Sequence, residues 1–358
     1  MLDRLGAVRA RIISRKADAA LVSALPDIRW ACGFSGSNGL LIVTAADAHL
    51  ITDGRYTAQA DREVQGAHIH IAPKGLIAHI ADQRLAVGLQ RVVVQADHLT
   101  LDLFHQIQEQ LPGPTWLPVA GLLQQDVAVK SAEEVACIRR AQHITDDVFA
   151  HLVGFLRAGL TEREVAAEIV YQHLRRGASS MSFDPIVASG PNGALPHARP
   201  TDRPLQAGDL VVLDFGGFVD GYASDMTRTV AIGEPEPAAV EVYHIVLEAQ
   251  RRALEAARAG LTTRALDAVA RTYIGEQGYG AQFSHGLGHG VGLQIHEWPS
   301  VSFRTEDVLP AGAVVTIEPG IYLPGRFGVR IEDMVLLQPD GALSLAASSK
   351  ALIRVAAA

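Results

Sequence analysis

Hydrophobic positions in the first third of the chain come in short runs. Ala20–Leu25 is apolar until Pro26 stops it, and Leu40–Thr44 and His49–Thr52 flank Ala45–Ala48 as a predicted hairpin. Arg91–Gln95 reads as a buried strand, and short helical stretches such as Tyr56–Val64 lie between the strands. The stretch Leu111–Gly121 carries Pro112, Gly113, Pro114 and Pro118, follows neither period, and reads as a linker. A boundary near Val127–Lys130 then divides the chain into a first domain, 1–127, and a second, 128–358.

Beyond residue 130 the pattern lengthens and repeats. Ser131 with Glu134, and Thr161 with Glu164, are capping boxes that open helices running to about Arg157 and to Gly177. Strands are expected at Phe183–Ala188, Leu210–Phe215 and Tyr222–Ile232. Helices follow at about Pro237–Ala259 and Thr263–Gln277, then strands at Val314–Tyr322 and Val329–Leu337. Within this order Ala207–Gly216 matches Ala311–Gly320 at a constant offset of 104, so Asp214 falls on Glu318; Asp225 and Glu332 lie 107 apart. A duplicated helix–helix–strand–strand unit predicts two pseudo-symmetric halves sharing one sheet, an α+β layer with helices on one face.

Composition narrows the class. The 358 residues are 48% hydrophobic and 20% charged, enough for full cores and too apolar for a disordered chain. A net charge of −8 leaves no basic footprint for nucleic acid. No uncharged run reaches the ~18 residues of a membrane span, and Arg4, Arg9, Arg11, Arg15 and Lys16 leave no room for a secretory apolar segment. The two cysteines, Cys32 and Cys137, make no disulfide framework, so the expected compartment is the cytoplasm.

The duplicated strands carry the chemistry. Asp214 and Glu318 each end an apolar run, where a buried charge needs a partner or a metal. The Asp220-Gly221 turn would set residue 227 opposite Asp214 and leave Asp225 diagonal to it, one bulge away. Glu332 follows Arg330 on another strand, and His289 lies in the glycine-rich His285–Gly290. Four carboxylates share a cavity only with cations, and two divalent ions neutralise them and form a clamp for hydrolysis. Oxygen ligands with one imidazole favour Mn²⁺, Fe²⁺ or Co²⁺ and leave Zn²⁺ open. A lone His285 reads as a packing or hydrogen-bonding residue, Asp53 and Arg55 as a local ion pair, and Trp30 and Phe34 as core or cleft wall.

Five segments of the second domain resemble the pita-bread metallopeptidases: Leu213–Gly216, Ser224–Thr229, His285–Gly292, Ile317–Tyr322 and Val329–Asp333. Gly33–Gly39 and Ile51–Tyr56 resemble the N-terminal domain of the creatinase/prolidase/aminopeptidase P branch, so the likeness spans nearly the whole chain. The resemblance implies a creatinase/prolidase-type α/β domain followed by a pita-bread α+β catalytic domain. It implies hydrolysis of the Xaa-Pro imide bond by a metal-bridging hydroxide, on a proline-containing di- or oligopeptide. Two divalent ions, most simply Mn²⁺, would be held by Asp214 and Asp225 and by His289 and Glu318, with Asp225 and Glu332 bridging. Glu318 would shuttle the proton, His197 would polarise the scissile carbonyl, His296 would line the cleft, and Arg330 would orient a ligand carboxylate. Trp298 would line the proline pocket. Arg304 resembles the carboxylate-binding arginine of long prolidases, which favours a dipeptidase over an aminopeptidase P. A creatinase-like metal-free hydrolase and a non-catalytic binding module are disfavoured because all five ligand types are present, and a homodimer is the expected assembly.

Overall fold

In the computed structural model, which describes residues 3–357, the apolar runs of the first third build a six-stranded sheet. Its order is His68–Ala72, Ala48–Asp53, Gly39–Thr44, Ala19–Val22, Arg91–Gln95, Thr115–Val119. The expected hairpin is there, with Leu40 paired to Ile51 and Val43 to Ala48. Pro26 sits in the first turn of the helix Leu25–Cys32, where its missing N–H costs nothing, so it opens an element as well as ending a run. The expected linker Leu111–Gly121 is instead built around the strand Thr115–Val119, parallel to Arg91–Gln95. It lies at the sheet edge, the one place where Pro118 withholds no needed ladder bond. Trp30 and Phe34 are buried in this unit, and Asp53 pairs with Arg55 at 2.9 Å. These elements form the compact unit Met1–Val127; the second unit is Ala128–Ala358.

The second unit shows its duplication in hydrogen bonds. Helices Ala132–Phe155 and Glu162–Arg175 start at full capping boxes. Their counterparts are Pro237–Ala256 and Thr263–Glu276. The Gly159 and Gly260 N–H groups donate to the Leu205 and Leu309 carbonyls, both at 2.9 Å. Leu205 and Leu309 donate back to Leu160 and Leu261 at 2.8 and 2.9 Å. The two halves therefore connect each helix pair to its strand by the same backbone clasp.

The strands depart from expectation in one consistent way. Among the described residues there is no single shared sheet. A four-stranded sheet orders Arg354–Val355, Met226–Ile232, Leu210–Phe215 and Ile186–Ser189. A five-stranded sheet orders Glu297–Val301, Gly288–Gly290, Val314–Ile317, Asp333–Gln338 and Gly341–Ser344. The long predicted strands split at their acidic residues. Tyr222–Ala223 and Met226–Ile232 part around Asp225, Val314–Ile317 and Gly320–Leu323 around Glu318, and Phe327–Arg330 and Asp333–Gln338 around Glu332. Thr227 faces Asp214, in the expected register, and the pairing of Phe218 with Ala223 beyond the gap keeps that register. The expected bulge is thus absent; the ladder opens at Gly216 and Asp225 without an extra residue. Glycine is required at 216, because a Cβ there would lie 1.9 Å from the Ser224 carbonyl oxygen.

The two sheets are stitched where they open. The Glu332 N–H donates to the Thr227 carbonyl at 3.1 Å, and Thr229 Oγ1 to the Arg330 carbonyl at 2.9 Å. Arg228, fully buried, pairs with Asp333 at 2.7 Å and donates to the Glu332 carbonyl at 2.6 Å.

Candidate metal centre

Strand alternation aims the acidic groups. Val211, Leu213 and Phe215 pack with Val148, Leu152, Val165 and Ile169 of the first helix pair. The intervening Val212 and Asp214 therefore face the other way. In the second half Val315 and Ile317 join the core with Val246 and Leu266, so Thr316 and, past the strand end, Glu318 face away from it. Both faces look into a cavity of about 640 Å³ lined by Asp214, Asp225, His289, Glu318 and Glu332, with His197, His285, His296, Arg304 and Arg330 also on its wall.

Distances tie these side chains into one network. His289 Nε2 lies 3.5 Å from Asp225 Oδ2 and 3.4 Å from Glu318 Oε1. One donor atom each of Asp225, His289 and Glu332 lies within 4.8 Å of the others. Arg330 donates to Asp214 Oδ2 at 2.6 Å and to Thr227 Oγ1 at 3.0 Å, and Thr227 Oγ1 donates to Glu332 Oε2 at 2.7 Å. Thr316 Oγ1 donates to Glu318 Oε1 at 3.1 Å and accepts from the His289 N–H at 3.0 Å. His289 Nδ1 meets the Gly290 carbonyl at 3.1 Å, which leaves Nε2 facing the carboxylates with its lone pair.

The electrostatics are those of several acids crowded together out of water. Burial, then the charges of Asp214 and Glu318, hold the Asp225 carboxyl well above the usual carboxylate range. Burial, then Asp225, Glu318 and Asp214, do the same to Glu332. Glu318 is pushed up to about 7, by burial first, with Arg330 opposing and Asp214 adding. Burial lowers His289, and it lowers His285 and His296 to about 4, so all three imidazoles are neutral at pH 7. Asp214 Oδ1 is buried with no hydrogen-bond partner among the described residues. An orphaned carboxylate oxygen beside three further acids and a neutral imidazole fits divalent cations.

Other expected residues fall as follows. His197 and Arg304 are exposed on the cavity wall, and the His296 ring packs edge-on to His289 at 4.3 Å. Arg330 donates to the Asp214 carboxylate at 2.6 Å and to the Pro196 carbonyl at 3.1 Å, beside His197. Trp298 is not among the lining residues. The register shifts between the His289–Ser300 and Gly290–Glu297 pairs, so Trp298 and Pro299 lie in the irregular step and Ser300 takes the cavity-facing place. Three contributors carry no role in the sequence reading. Thr227 links Arg330 to Glu332. Buried Tyr322 holds its hydroxyl between His285 Nε2 and Arg330 Nη1, both at 2.9 Å. Fully buried Glu162 accepts from Ser189, Asn192 and Thr201, pinning the loop that carries His197. The capping-box position of Thr161 hints that Glu162 is an ordinary first-turn acid and masks this role.

Residues 136–339 match the metallopeptidase family M24, and residues 4–126 match the creatinase/prolidase N-terminal domain. The chain belongs to metallopeptidase family M24. It is an enzyme of that kind, and the family implies divalent metal ions. Its relatives include an Xaa-Pro dipeptidase of Pyrococcus horikoshii, 36% identical over 94% of each chain. An Xaa-Pro dipeptidase from Bacillus anthracis superposes with a TM-score of 0.96 at 38% identity, covering 98% of this chain and 99% of that one. An X-Pro aminopeptidase from Thermotoga maritima superposes at 0.91 and 37% identity, covering 99% and 100%.

Proposed function

We propose that this M24 enzyme is an Xaa-Pro dipeptidase, releasing the residue ahead of proline from a dipeptide. The observation that carries the reading is a single cavity wall that holds the carboxylate–imidazole cluster, His197 and the exposed Arg304 together. The dipeptidase names of two near relatives support it.

Asp214, Asp225, His289, Glu318 and Glu332 are the residues that would hold two divalent ions. Bound there, such ions supply Lewis acidity to the scissile carbonyl and bring the pKa of a water near neutrality. Glu318 accepts hydrogen bonds on Oε1 from Thr316, which leaves Oε2 to take the proton of the attacking water. That proton passes to the prolyl nitrogen as the C–N bond breaks, so water's hydroxyl stays on the acyl carbon and its proton on the amine. His197 donates to the oxygen of the carbonyl as charge grows on it. His296, packed on His289, walls the cleft. Arg330 fixes Asp214 and, through Thr227, Glu332, so two ligands share one anchor. Arg304 meets the proline carboxylate. Manganese is the metal of this reading, a homodimer its assembly and the cytoplasm its compartment; metal analysis, sedimentation and cell fractionation test these.

The deciding experiment compares Ala-Pro with Ala-Pro-Ala, in wild type and in Arg304→Ala. Wild type should prefer the dipeptide, lose activity on chelation and regain it with Mn²⁺. A charge-assisted hydrogen bond is worth ~1.5–3 kcal/mol, so Arg304→Ala should lose roughly tenfold to a hundredfold in kcat/KM on the dipeptide and spare the tripeptide. A wild type that prefers the tripeptide is an aminopeptidase P, and the dipeptidase reading falls.

A further inference from the structure

We propose that the N-terminal unit carries a second, nitrogen-rich metal site, for one Zn²⁺- or Cu²⁺-type ion held by His49 and His70 and completed by His79. The inference does not rest on the dipeptidase reading.

The site follows from strand register. Ala48–Asp53 and His68–Ala72 run parallel, with His49 beside His68 and Ile51 beside His70. Side chains alternate, so His49, His68 and His70 share one face. Ile51 on that face packs in a core with Ile77 and Ile80 of the helix Leu76–Asp82, which also carries His79. Four imidazoles thus form a row. Ring centroids lie 5.2 Å apart for His68 and His49, 5.1 Å for His49 and His70, and 5.7 Å for His70 and His79.

Within the row, His49 Nδ1 and His70 Nε2 face each other at 3.0 Å. Zinc–imidazole bonds of ~2.0–2.1 Å set two tetrahedral nitrogens about 3.3 Å apart, so a few tenths of an ångström separate the proton-sharing pair from a chelate. His79 Nε2 is buried with no hydrogen-bond partner among the described residues, an uncompensated polar atom at the end of the row. The His79 ring centroid stands 5.7 Å from that of His70, so the ring has to swing inward to bring a third lone pair to His49 and His70. At the other end Asp47 Oδ1 stands 3.7 Å from His68 Nε2 and offsets added positive charge. Burial, then neighbouring imidazoles, lower the His49 and His70 pKa values, so both rings are neutral at pH 7, the form that ligates. Imidazole nitrogen selects Zn²⁺, Cu²⁺ or Ni²⁺, whereas the carboxylates of the catalytic unit select harder ions.

The test is equilibrium dialysis of the full chain against Zn²⁺ alone, followed by metal counting, for wild type and for the His49→Gln/His70→Gln double variant. Wild type should hold one equivalent more than the double variant. Cu²⁺ in that extra site should show nitrogen hyperfine structure that the double variant lacks. His79→Gln should weaken the extra site ~tenfold or more. Xaa-Pro cleavage and the chelator-treated Tm should stay at wild-type values in His79→Gln, which keeps the test standing should the double variant misfold. Equal zinc content in wild type and the folded double variant overturns the proposal, as does unchanged zinc affinity in His79→Gln.

Discussion

The two halves of the catalytic unit share a scaffold and differ in how they treat an equivalent acid. Asp214 and Glu318 end matching strands behind matching helix pairs. Asp214 is gripped by Arg330 at 2.6 Å, a guanidinium sent across from the other half. Glu318 meets the Thr316 hydroxyl and His289 with no arginine hydrogen bond among the described residues, and burial lifts its carboxyl to about 7. One half thus pins its acid with an arginine, and the other leaves its acid to a hydroxyl and an imidazole. Duplication supplied the frame, and one cross-half arginine made the copies unequal. Unequal contacts are how one site assigns separate roles to like groups.

The largest break should come from Asp225, which belongs to the first half but reaches His289 of the second. Asp225→Asn removes a charge that both halves use. We expect loss of bound metal and a fall in kcat/KM on the order of 10³-fold or more. Full metal occupancy with near-normal turnover would mean the halves do not share a centre.

A middle-sized effect should separate the halves. Each half buries one acid that ties down a loop bearing a site histidine. Glu162 holds the loop of His197 through Ser189, Asn192 and Thr201. Asp267 accepts from the Leu287 N–H at 3.0 Å, two residues before His289, and pairs with Arg271 at 2.7 Å. His197→Ala should lower kcat by ~10²–10³ with metal content intact. Glu162→Gln should follow it in direction, by about tenfold in kcat, because an amide turns a donor toward donors. Asp267→Asn should instead weaken metal retention, since its loop carries a proposed ligand. Metal loss in Glu162→Gln, or none in Asp267→Asn, would erase this division.

Local signals were plain in the sequence where chemistry is local. Ser131 with Glu134 and Thr161 with Glu164 mark helix starts, and the Asp220-Gly221 turn sets Thr227 opposite Asp214. The splitting of strands at Asp225, Glu318 and Glu332 did not show in the hydrophobic period, although Pro319-Gly320 directly after Glu318 is a local break signal. Thr115–Val119 hid among prolines that only an edge position tolerates. Tyr322, Thr227 and Glu162 were invisible as contributors for a shared reason. Their partners, Arg330, Glu332 and Thr201, lie 8 to 105 residues away, and only the folded chain brings them together.

The smallest effect on catalysis, with its readout in stability instead, is expected at the seam where the halves meet. Arg228 of the first half and Asp333 of the second form a buried pair, and Lys350 adds a second cation at 2.7 Å. Burial pushes the Asp333 carboxyl up, but Arg228 and Lys350 outweigh it and hold it below the usual range. A carboxyl lowered in the folded state binds more protons when unfolded. Its contribution is therefore complete above the unfolded value of about 4 and is lost as pH falls through the lower folded value. Asp333→Asn leaves Arg228 buried without its anion, which costs ~3–5 kcal/mol, or a Tm drop on the order of 10 °C at pH 7. With metal chelated in both proteins, the gap in Tm between wild type and variant should narrow as pH falls from about 5 to about 3, because wild type loses what the variant never had. A gap that stays constant over that range would mean that the seam is held by the Thr227 carbonyl and the Thr229 hydroxyl and not by this ion pair. The two halves would then be joined by their strands alone, with the charge pair a passenger.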